Sequence, residues 1–141
     1  MYIRQIDEDE LKYDNIINKE DFPEVIHLDS DSFKNSRRTY LDNCKWYGLF
    51  EEDEEIKCVC CVSNKVDDET CCLELLECQV NNKYNGYGTI LTNYVIDLYT
   101  KKGFKQMKTM CMYRDLTLFY KRFGFEVENE KRQFIKMVKK L

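Results

Sequence analysis

Two glutamates in an apolar segment are the groups best suited to acid–base chemistry in this sequence. Glu74 and Glu77 lie in residues 71–80, where their neighbours are mainly leucine and cysteine. Burial raises the pKa of carboxyl groups in general, so a carboxylate in such a segment could take the proton from an alkylammonium and leave a nucleophilic amine. Because side chains alternate along a strand, the two are expected to point to opposite faces, and only one would face the amine.

A glycine-containing loop, residues 81–88, follows that segment and could bind phosphate. It precedes the strongest helical pattern of the chain, and the N–H groups in the first turn of a helix have no partner within the helix. Gly86 and Gly88 would let an anion approach the backbone without an intervening Cβ atom, and Lys83 adds positive charge. The loop lacks the further glycines of the mononucleotide and dinucleotide-binding loops, so it predicts a phosphate site of another type.

Other catalytic chemistries have less support. The chain has one histidine, His27, in an apolar stretch, and it has no Gly-x-Ser-x-Gly segment, which argues against a Ser-His-Asp triad or a histidine-rich metal site. Cys58 and Cys61 have C-x-x-C spacing, but strand alternation would point them to opposite faces, as it would Cys71 and Cys72. The eight cysteines are therefore expected to be reduced thiols, mostly in the core, and no metal is expected.

The net charge of −4 is unevenly distributed along the chain. Residues 1–80 contain 21 Asp and Glu against 9 Lys and Arg, whereas residues 81–141 contain 5 against 13. A basic half suggests a polyanionic partner, and a phosphate-rich cofactor fits better than nucleic acid, for which a more basic chain is expected. No apolar stretch is long enough to span a membrane and no signal-peptide pattern is present, so a cytoplasmic protein without membrane contact is expected.

The elements around these residues predict one mixed α/β domain of the α+β type over residues 1–141. Strands are predicted over residues 2–6, 45–51, 56–64, 71–80, 104–112, 125–128 and 133–139, and helices over 9–18, 21–33, 37–43, 89–102 and 115–123. A polar turn is predicted over residues 66–70. The order indicates a central, largely antiparallel twisted sheet flanked by helices, with one βαβ crossover. The helix over 89–102 has an apolar face and should end at Gly103; that face consists of Ile90, Leu91, Tyr94, Val95 and Leu98.

Two segments resemble the motifs of the GNAT superfamily of N-acetyltransferases. In that superfamily a loop with Arg or Gln, two residues, Gly, one residue and Gly or Ala binds the pyrophosphate of acetyl-coenzyme A. Residues 83–88 resemble this loop, with Lys83 in its first place. The family also has a later aromatic segment, and Phe-Tyr-Lys-Arg-Phe-Gly-Phe at residues 119–125 is similar to it. The resemblance is specific over residues 72–125 and general over residues 1–71.

Within the superfamily the chain resembles most the glucosamine-6-phosphate N-acetyltransferases, through Leu-Glu-Leu at residues 73–75 and through residues 119–125. The resemblance implies the GNAT fold, acetyl-coenzyme A as co-substrate without a metal, and transfer of acetyl to the primary amine of a small molecule, preferentially an amino-sugar phosphate. An N-terminal or lysine acetyltransferase of proteins and a non-catalytic acyl-coenzyme A-binding domain remain alternatives. A homodimer is expected because dimers are common in the superfamily.

The resemblance also assigns roles to individual residues. It favours Glu74 as the base, with Glu77 as the alternative, and it places the Tyr120 hydroxyl beside the coenzyme sulfur as a hydrogen-bond donor. Backbone groups around residues 78–80 would pair with the amides of pantetheine. The implied coenzyme contacts are Cys78, Gln79, Val80, Lys83, Tyr84, Asn85, Gly86, Tyr87, Gly88, Thr89 and Tyr120. Guanidinium groups that could bind an acceptor phosphate are those of Arg37, Arg38 and Arg114.

Overall fold

The computed structural model describes residues 1–7, 10, 20–23, 44–82, 85–131 and 133–141. The helices predicted over residues 9–18, 21–33 and 37–43 lie outside the described residues except at a few positions. Of these positions, Glu10 and Pro23 have helical backbone. His27 also lies outside them.

The described residues form seven strands and two α-helices that alternate much as predicted. The elements are β1 (Tyr2–Ile6), β2 (Cys44–Phe50), β3 (Ile56–Asp67), β4 (Thr70–Cys78), a short 3-10 helix (Val80–Asn82), α1 (Tyr87–Lys101), β5 (Gln106–Cys111), α2 (Arg114–Lys121), β6 (Glu126–Glu130) and β7 (Ile135–Lys140). These strands form one sheet in the order β1-β2-β3-β4-β5-β7-β6. Strands β4 and β5 are parallel, whereas the pairs β1–β2, β5–β7 and β6–β7 are antiparallel. The mixed sheet with one βαβ crossover is thus confirmed.

No helix among the described residues is long and apolar enough to span a membrane.

The turn between β3 and β4 is tighter than the sequence indicated. The predicted turn covered residues 66–70, but β3 continues to Asp67 and β4 begins at Thr70, which leaves Asp68 and Glu69 as the turn. The Asp67 carboxylate accepts hydrogen bonds from the Glu69 N–H at 2.8 Å and from the Thr70 hydroxyl at 3.2 Å. An Asp side chain that bonds the backbone two residues further on stabilises a tight turn, so the strands can extend up to it.

By packing, the chain forms two compact units, a first unit of Met1–Val62 with Leu75–Thr92 and a second unit of Ser63–Glu74 with Asn93–Leu141. The core of the first unit joins β1, β2 and β3, and Leu75 packs against it. Gly48 on β2 is required by close packing, because a Cβ atom there would lie 2.6 Å from Ile6 Cδ1 and 2.8 Å from Ile56 Cδ1. The buried members of this core are Ile6, Phe22, Cys44, Trp46, Phe50, Ile56, Val59 and Cys61.

The second unit is built on β5 and β7, which pair along their whole lengths. Met107 and Cys111 of β5 and Met137 of β7 are fully buried, and the Cys111 thiol lies 3.7 Å from the Met137 sulfur. Strand β4 enters this unit through the parallel pairing of Thr70–Leu73 with β5, and the buried Thr109 hydroxyl donates to the Leu73 carbonyl at 3.0 Å. The second unit therefore holds the first half of β4 in a fixed register.

Helix α1 buries a narrower face than predicted. Leu91 and Val95 are fully buried and Tyr99 is 3% exposed, whereas Ile90, a member of the predicted apolar face, is 36% exposed. The buried residues follow a spacing of four, which keeps them on one side of the helix. The predicted end of the helix is confirmed, because Gly103 has φ +95 and the N–H of the next residue, Phe104, donates to the Tyr99 carbonyl at 3.2 Å.

Candidate active site

The glycine loop leads directly into α1, which begins two residues earlier than predicted. Tyr87 and Gly88 belong to the first helical turn rather than to the loop. Gly86, just ahead of them, has φ +85, a conformation that glycine adopts without strain. A Cβ atom at Gly86 would meet nothing within 4 Å, so the space beside this residue is open to a ligand. Lys83 and Tyr84 lie outside the described residues.

The start of α1 presents a set of backbone donors. Among the residues that the structure describes, the first bond of the helix runs from the Ile90 N–H to the Gly86 carbonyl at 3.1 Å, so the N–H groups of Tyr87, Gly88 and Thr89 precede the hydrogen-bond ladder. The first turn carries no acidic side chain that would compete for them. Gly86 itself is exposed, as is Asn85 before it. This arrangement of open backbone and helix dipole suits an anion.

Among the described residues, several carboxylates and one ammonium group lie near Tyr87. Burial and the carboxylate of Glu51 raise the pKa of the Tyr87 hydroxyl. The Lys57 ammonium lies 3.0 Å from Glu55 and 3.5 Å from Asp53, and the hydrogen bond to Glu55 raises the pKa of Lys57 above its usual value. Lys57 therefore already has two acidic partners and is not an unpaired cation for an anion at the start of α1.

Glu74 is held within the second unit by Ser63, a side chain that was not among the predicted site residues. The Ser63 hydroxyl, which is 2% exposed on β3, donates to Glu74 Oε1 at 2.6 Å. Burial, and next the Glu74 carboxylate, raise the pKa of the nearby Cys72 thiol to about 11, which keeps that thiol protonated at neutral pH. A polar residue in a strand of apolar ones was the available signal for Ser63, the same signal that singled out Glu74.

Glu77, the alternative base, belongs to the first unit. It lies on β4 as predicted and is 7% exposed. Both glutamates are thus held on one strand, Glu74 half-buried and Glu77 buried. The choice of Glu74 over Glu77 stays a prediction.

The segment after β4 differs from the predicted strand. The strand ends at Cys78 rather than at Val80, and Val80 begins the 3-10 helix. The Gln79 N–H donates to the Lys57 carbonyl of β3 at 2.9 Å, and the Val80 N–H donates to the Asp21 carbonyl at 3.1 Å, where the chain leaves the sheet. Two of the backbone donors predicted for pantetheine are therefore engaged within the protein. The side-chain amide of Gln79 also donates hydrogen bonds to the carboxylates of Asp21 and Glu55.

Tyr120 lies on the buried face of α2. Its side chain is 6% exposed, whereas Phe119 and Phe123 are only partly buried. The Tyr120 ring packs edge-to-face against the rings of Phe119 and Phe125, with distances of 5.1 Å and 5.5 Å between the ring centroids. Gly124 has φ +92, and this turn lets the Phe125 N–H donate to the Tyr120 carbonyl at 3.3 Å. Within residues 119–125 the turn at Gly124 thus brings both the backbone and the ring of Phe125 against Tyr120.

Gly124→Ala is expected to lower the free energy of unfolding by about 1–2 kcal/mol, because an alanine is strained at a positive φ. Urea denaturation followed by circular dichroism measures this loss. Gly124→Asn is the matched control, since asparagine tolerates the left-handed region better and should lose less. Equal stability of the alanine variant and the unmodified protein would contradict the turn described for Gly124.

Of the three arginines predicted to bind an acceptor phosphate, the structure describes only Arg114. Arg114 begins α2, with an 86% exposed side chain that donates to Glu130 on β6 at 2.8 Å. Arg37 and Arg38 lie outside the described residues. Arg114 is therefore a surface residue with an acidic partner, and its role in phosphate binding stays a prediction.

The cysteines are thiols, as predicted. None of the eight forms a disulfide, and six of them are buried. The C-x-x-C pair is divided between two environments, because Cys61 packs in the core of the first unit while Cys58 contacts Cys78. Within the described part of the chain, no three His, Cys, Asp or Glu side chains are grouped as metal ligands.

Comparison with known proteins shows the fold. No protein-family model matches the chain, and no curated protein matches its sequence. The chain is similar to a GNAT family acetyltransferase from Elizabethkingia anophelis with acetyl-CoA bound, at 15% identity and a TM-score of 0.76 over 99% of this chain and 97% of that one. It is similar to the PaiA N-acetyltransferase of Thermoplasma acidophilum in complex with coenzyme A, at 15% identity and 0.72 over 99% and 98%. It is also similar to the ribosomal-protein-S18-alanine N-acetyltransferase of Escherichia coli, at 15% and 0.70 over 99% and 92%. The chain therefore has the fold of GNAT acetyltransferases, as predicted.

Proposed function

We propose that the protein is an acetyltransferase that uses acetyl-coenzyme A to acetylate a primary amine. The observation that carries the proposal is the start of α1, where Gly86 opens the backbone and three N–H groups precede the helical ladder. Two proteins of the same fold contain coenzyme A or acetyl-coenzyme A in their solved structures. A helix start of this kind suits the diphosphate of that coenzyme.

In the proposed reaction the start of α1 binds the coenzyme and Glu74 acts on the acceptor amine. The N–H groups of Tyr87, Gly88 and Thr89 bind the diphosphate, with Asn85 and Gly86 lining the approach. The coenzyme supplies a thioester whose carbonyl is open to attack by an amine. Glu74, held by Ser63, accepts the proton of the ammonium group so that the amine can attack.

Tyr120 would act on the departing sulfur. A phenol titrates near pH 10 and an alkyl thiol near 8.5, so complete proton transfer from the phenol to the thiolate costs about 2 kcal/mol. The Tyr120 hydroxyl is therefore assigned as a hydrogen-bond donor to the sulfur. Packing of its ring against Phe119 and Phe125 restricts the direction in which that hydroxyl can point.

The acceptor that the sequence favours is an amino-sugar phosphate such as glucosamine 6-phosphate, because residues 119–125 resemble the enzymes that use it. A basic peptide is the second candidate. It is favoured by the run of five acidic residues at 51–55, between β2 and β3, and by the acidic excess of residues 1–80. The fold is also that of an enzyme named for acetylating the alanine of a ribosomal protein.

A thiol-release assay with acetyl-coenzyme A and a panel of amines tests the proposal. Glucosamine 6-phosphate is expected to give the highest kcat/KM, glucosamine without its phosphate a lower value, and basic peptides the lowest. Turnover of peptides alone would overturn the sugar assignment and leave the acetyltransferase. Binding of acetyl-coenzyme A without release of thiol from any amine would instead favour a non-catalytic acyl-coenzyme A-binding domain.

Ser63→Ala is expected to lower kcat about 5- to 30-fold, because removing one hydrogen bond to a carboxylate costs roughly 1–2 kcal/mol of positioning. The KM for acetyl-coenzyme A should change little, since Ser63 acts through Glu74, whose assigned role is to take the proton of the acceptor amine. Ser63→Thr keeps the hydroxyl and should restore most of the kcat. An alanine variant with unchanged kcat would show that this hydrogen bond has no part in the reaction.

A further inference from the structure

Two cysteines on neighbouring strands bring their sulfur atoms together within the first unit. Cys58 on β3 and Cys78 at the end of β4 have Sγ atoms 3.1 Å apart. The hydrogen bond from the Gln79 N–H to the Lys57 carbonyl joins the residues next to them, so the backbone holds the two thiols opposite each other. A disulfide bond is about 2.05 Å long, and the sulfurs would have to approach by only about 1 Å to form one.

The two thiols differ in their access to reagents. Cys58 is fully buried, whereas Cys78 is partly exposed. The hydrogen bond with Cys78 and burial both raise the pKa of the Cys58 thiol, so Cys58 stays protonated. A dissolved reagent would therefore reach Cys78 first, and Cys58 would react only from within the pair.

We propose that Cys58 and Cys78 are a reactive thiol pair that a low-molecular-weight disulfide converts into an intramolecular disulfide. In the first step the Cys78 thiolate attacks one sulfur of the reagent, which forms a mixed disulfide and releases one small thiol carrying the proton lost by Cys78. In the second step Cys58, whose thiol partner Cys78 is now in the mixed disulfide, gives its proton to the departing small thiolate as its sulfur attacks the Cys78 sulfur, and the second small thiol leaves. The protein is oxidised by two electrons and the reagent is reduced to two thiols.

The position of the pair gives the modification a consequence. Cys78 is the last residue of β4, and the following Gln79 is bonded to Asp21 and Glu55. A disulfide would tie the end of β4 covalently to β3, just before the chain continues toward Gly86. If the proposed function holds, oxidation would alter the segment next to the coenzyme site. The formation of the disulfide itself does not depend on that function.

Oxidised glutathione, added to the native reduced protein, tests the proposal through intact mass and peptide mapping without reduction. The unmodified protein is expected to lose two titratable thiols and about 2 Da, the mass of two hydrogen atoms, with Cys58 linked to Cys78. Cys58→Ser should stop at a stable glutathione adduct on Cys78. Cys78→Ser should form neither the adduct nor the disulfide.

Cys60→Ala is the matched control, since Cys60 is a buried thiol on the same strand, and it should behave like the unmodified protein. The proposal is overturned if the unmodified protein stays fully reduced, if it keeps the glutathione adduct on Cys78, or if the disulfide joins other cysteines. Circular dichroism checks that each variant is folded. If Cys58→Ser is not folded, the comparison of Cys78→Ser with Cys60→Ala decides the question alone.

Discussion

Glu74→Gln is expected to lower kcat by about 10²- to 10⁴-fold, the usual contribution of a general base, while the affinity for coenzyme A changes less than threefold. Glutamine keeps the shape of the side chain and still accepts the hydrogen bond from Ser63, but it cannot take the proton of an ammonium group. Steady-state kinetics with the best acceptor from the amine panel measure kcat, and calorimetry with coenzyme A measures affinity.

Glu77→Gln is the comparison that decides between the two glutamates of β4. A large fall in kcat for Glu77→Gln together with near-normal turnover for Glu74→Gln would transfer the role of the base to Glu77. Glu128→Gln serves as a control for loss of a carboxylate, because Glu128 is on β6 and pairs with Lys108 at 3.1 Å. Full activity in both Glu74→Gln and Glu77→Gln would refute base catalysis by β4.

Gly86→Asp is expected to weaken the binding of coenzyme A roughly 10- to 30-fold relative to Gly86→Asn, which corresponds to about 1.4–2 kcal/mol. The two side chains have nearly the same shape and both tolerate a positive φ, so the difference between them isolates the charge. A carboxylate at this position would occupy the N–H groups of the first turn and repel a diphosphate. Calorimetry at two salt concentrations measures both dissociation constants, and added salt should reduce the difference between them.

Gly103→Asp is the matched control at the other end of α1. Gly103 also has a positive φ, and a Cβ atom there would meet nothing within 4 Å. This variant should bind coenzyme A like the unmodified protein, although a carboxylate at the C-terminal end of a helix lowers its stability. Equal loss of affinity in Gly86→Asp and Gly103→Asp would mean that the start of α1 has no special role.

The strand pattern and the βαβ crossover could be predicted because both are local properties of the sequence. Apolar runs identified strands such as β3 and β4, and Gly103 marked the end of α1 through its own backbone conformation. The strand ends that were predicted wrongly depend on hydrogen bonds to residues far away in the sequence. After Cys78 the chain leaves the sheet where the Val80 N–H bonds to the Asp21 carbonyl, a distant partner that no local pattern reveals.

Individual residues of the candidate site could be predicted from the sequence, but the contacts between them could not. Glu74 is noticeable because a carboxylate is rare in an apolar strand, and Gly86 because a helix follows it. Ser63 is a polar residue in an apolar strand, but nothing in the sequence pairs it with Glu74, because their contact exists only through the packing of the second unit. The meeting of Cys58 with Cys78 likewise depends on the register between β3 and β4, which hydrophobic periodicity alone does not determine.

Calorimetric titration of the unmodified protein with coenzyme A, beside a titration with pantetheine, tests the central claim most directly. Pantetheine has the thiol and both amides of the coenzyme but no phosphate. Saturable one-to-one binding of coenzyme A, with pantetheine bound at least tenfold more weakly, is the result expected if the backbone of Tyr87, Gly88 and Thr89 holds the diphosphate. Absence of coenzyme A binding by the folded protein, or equal affinity for the two ligands, would contradict the account.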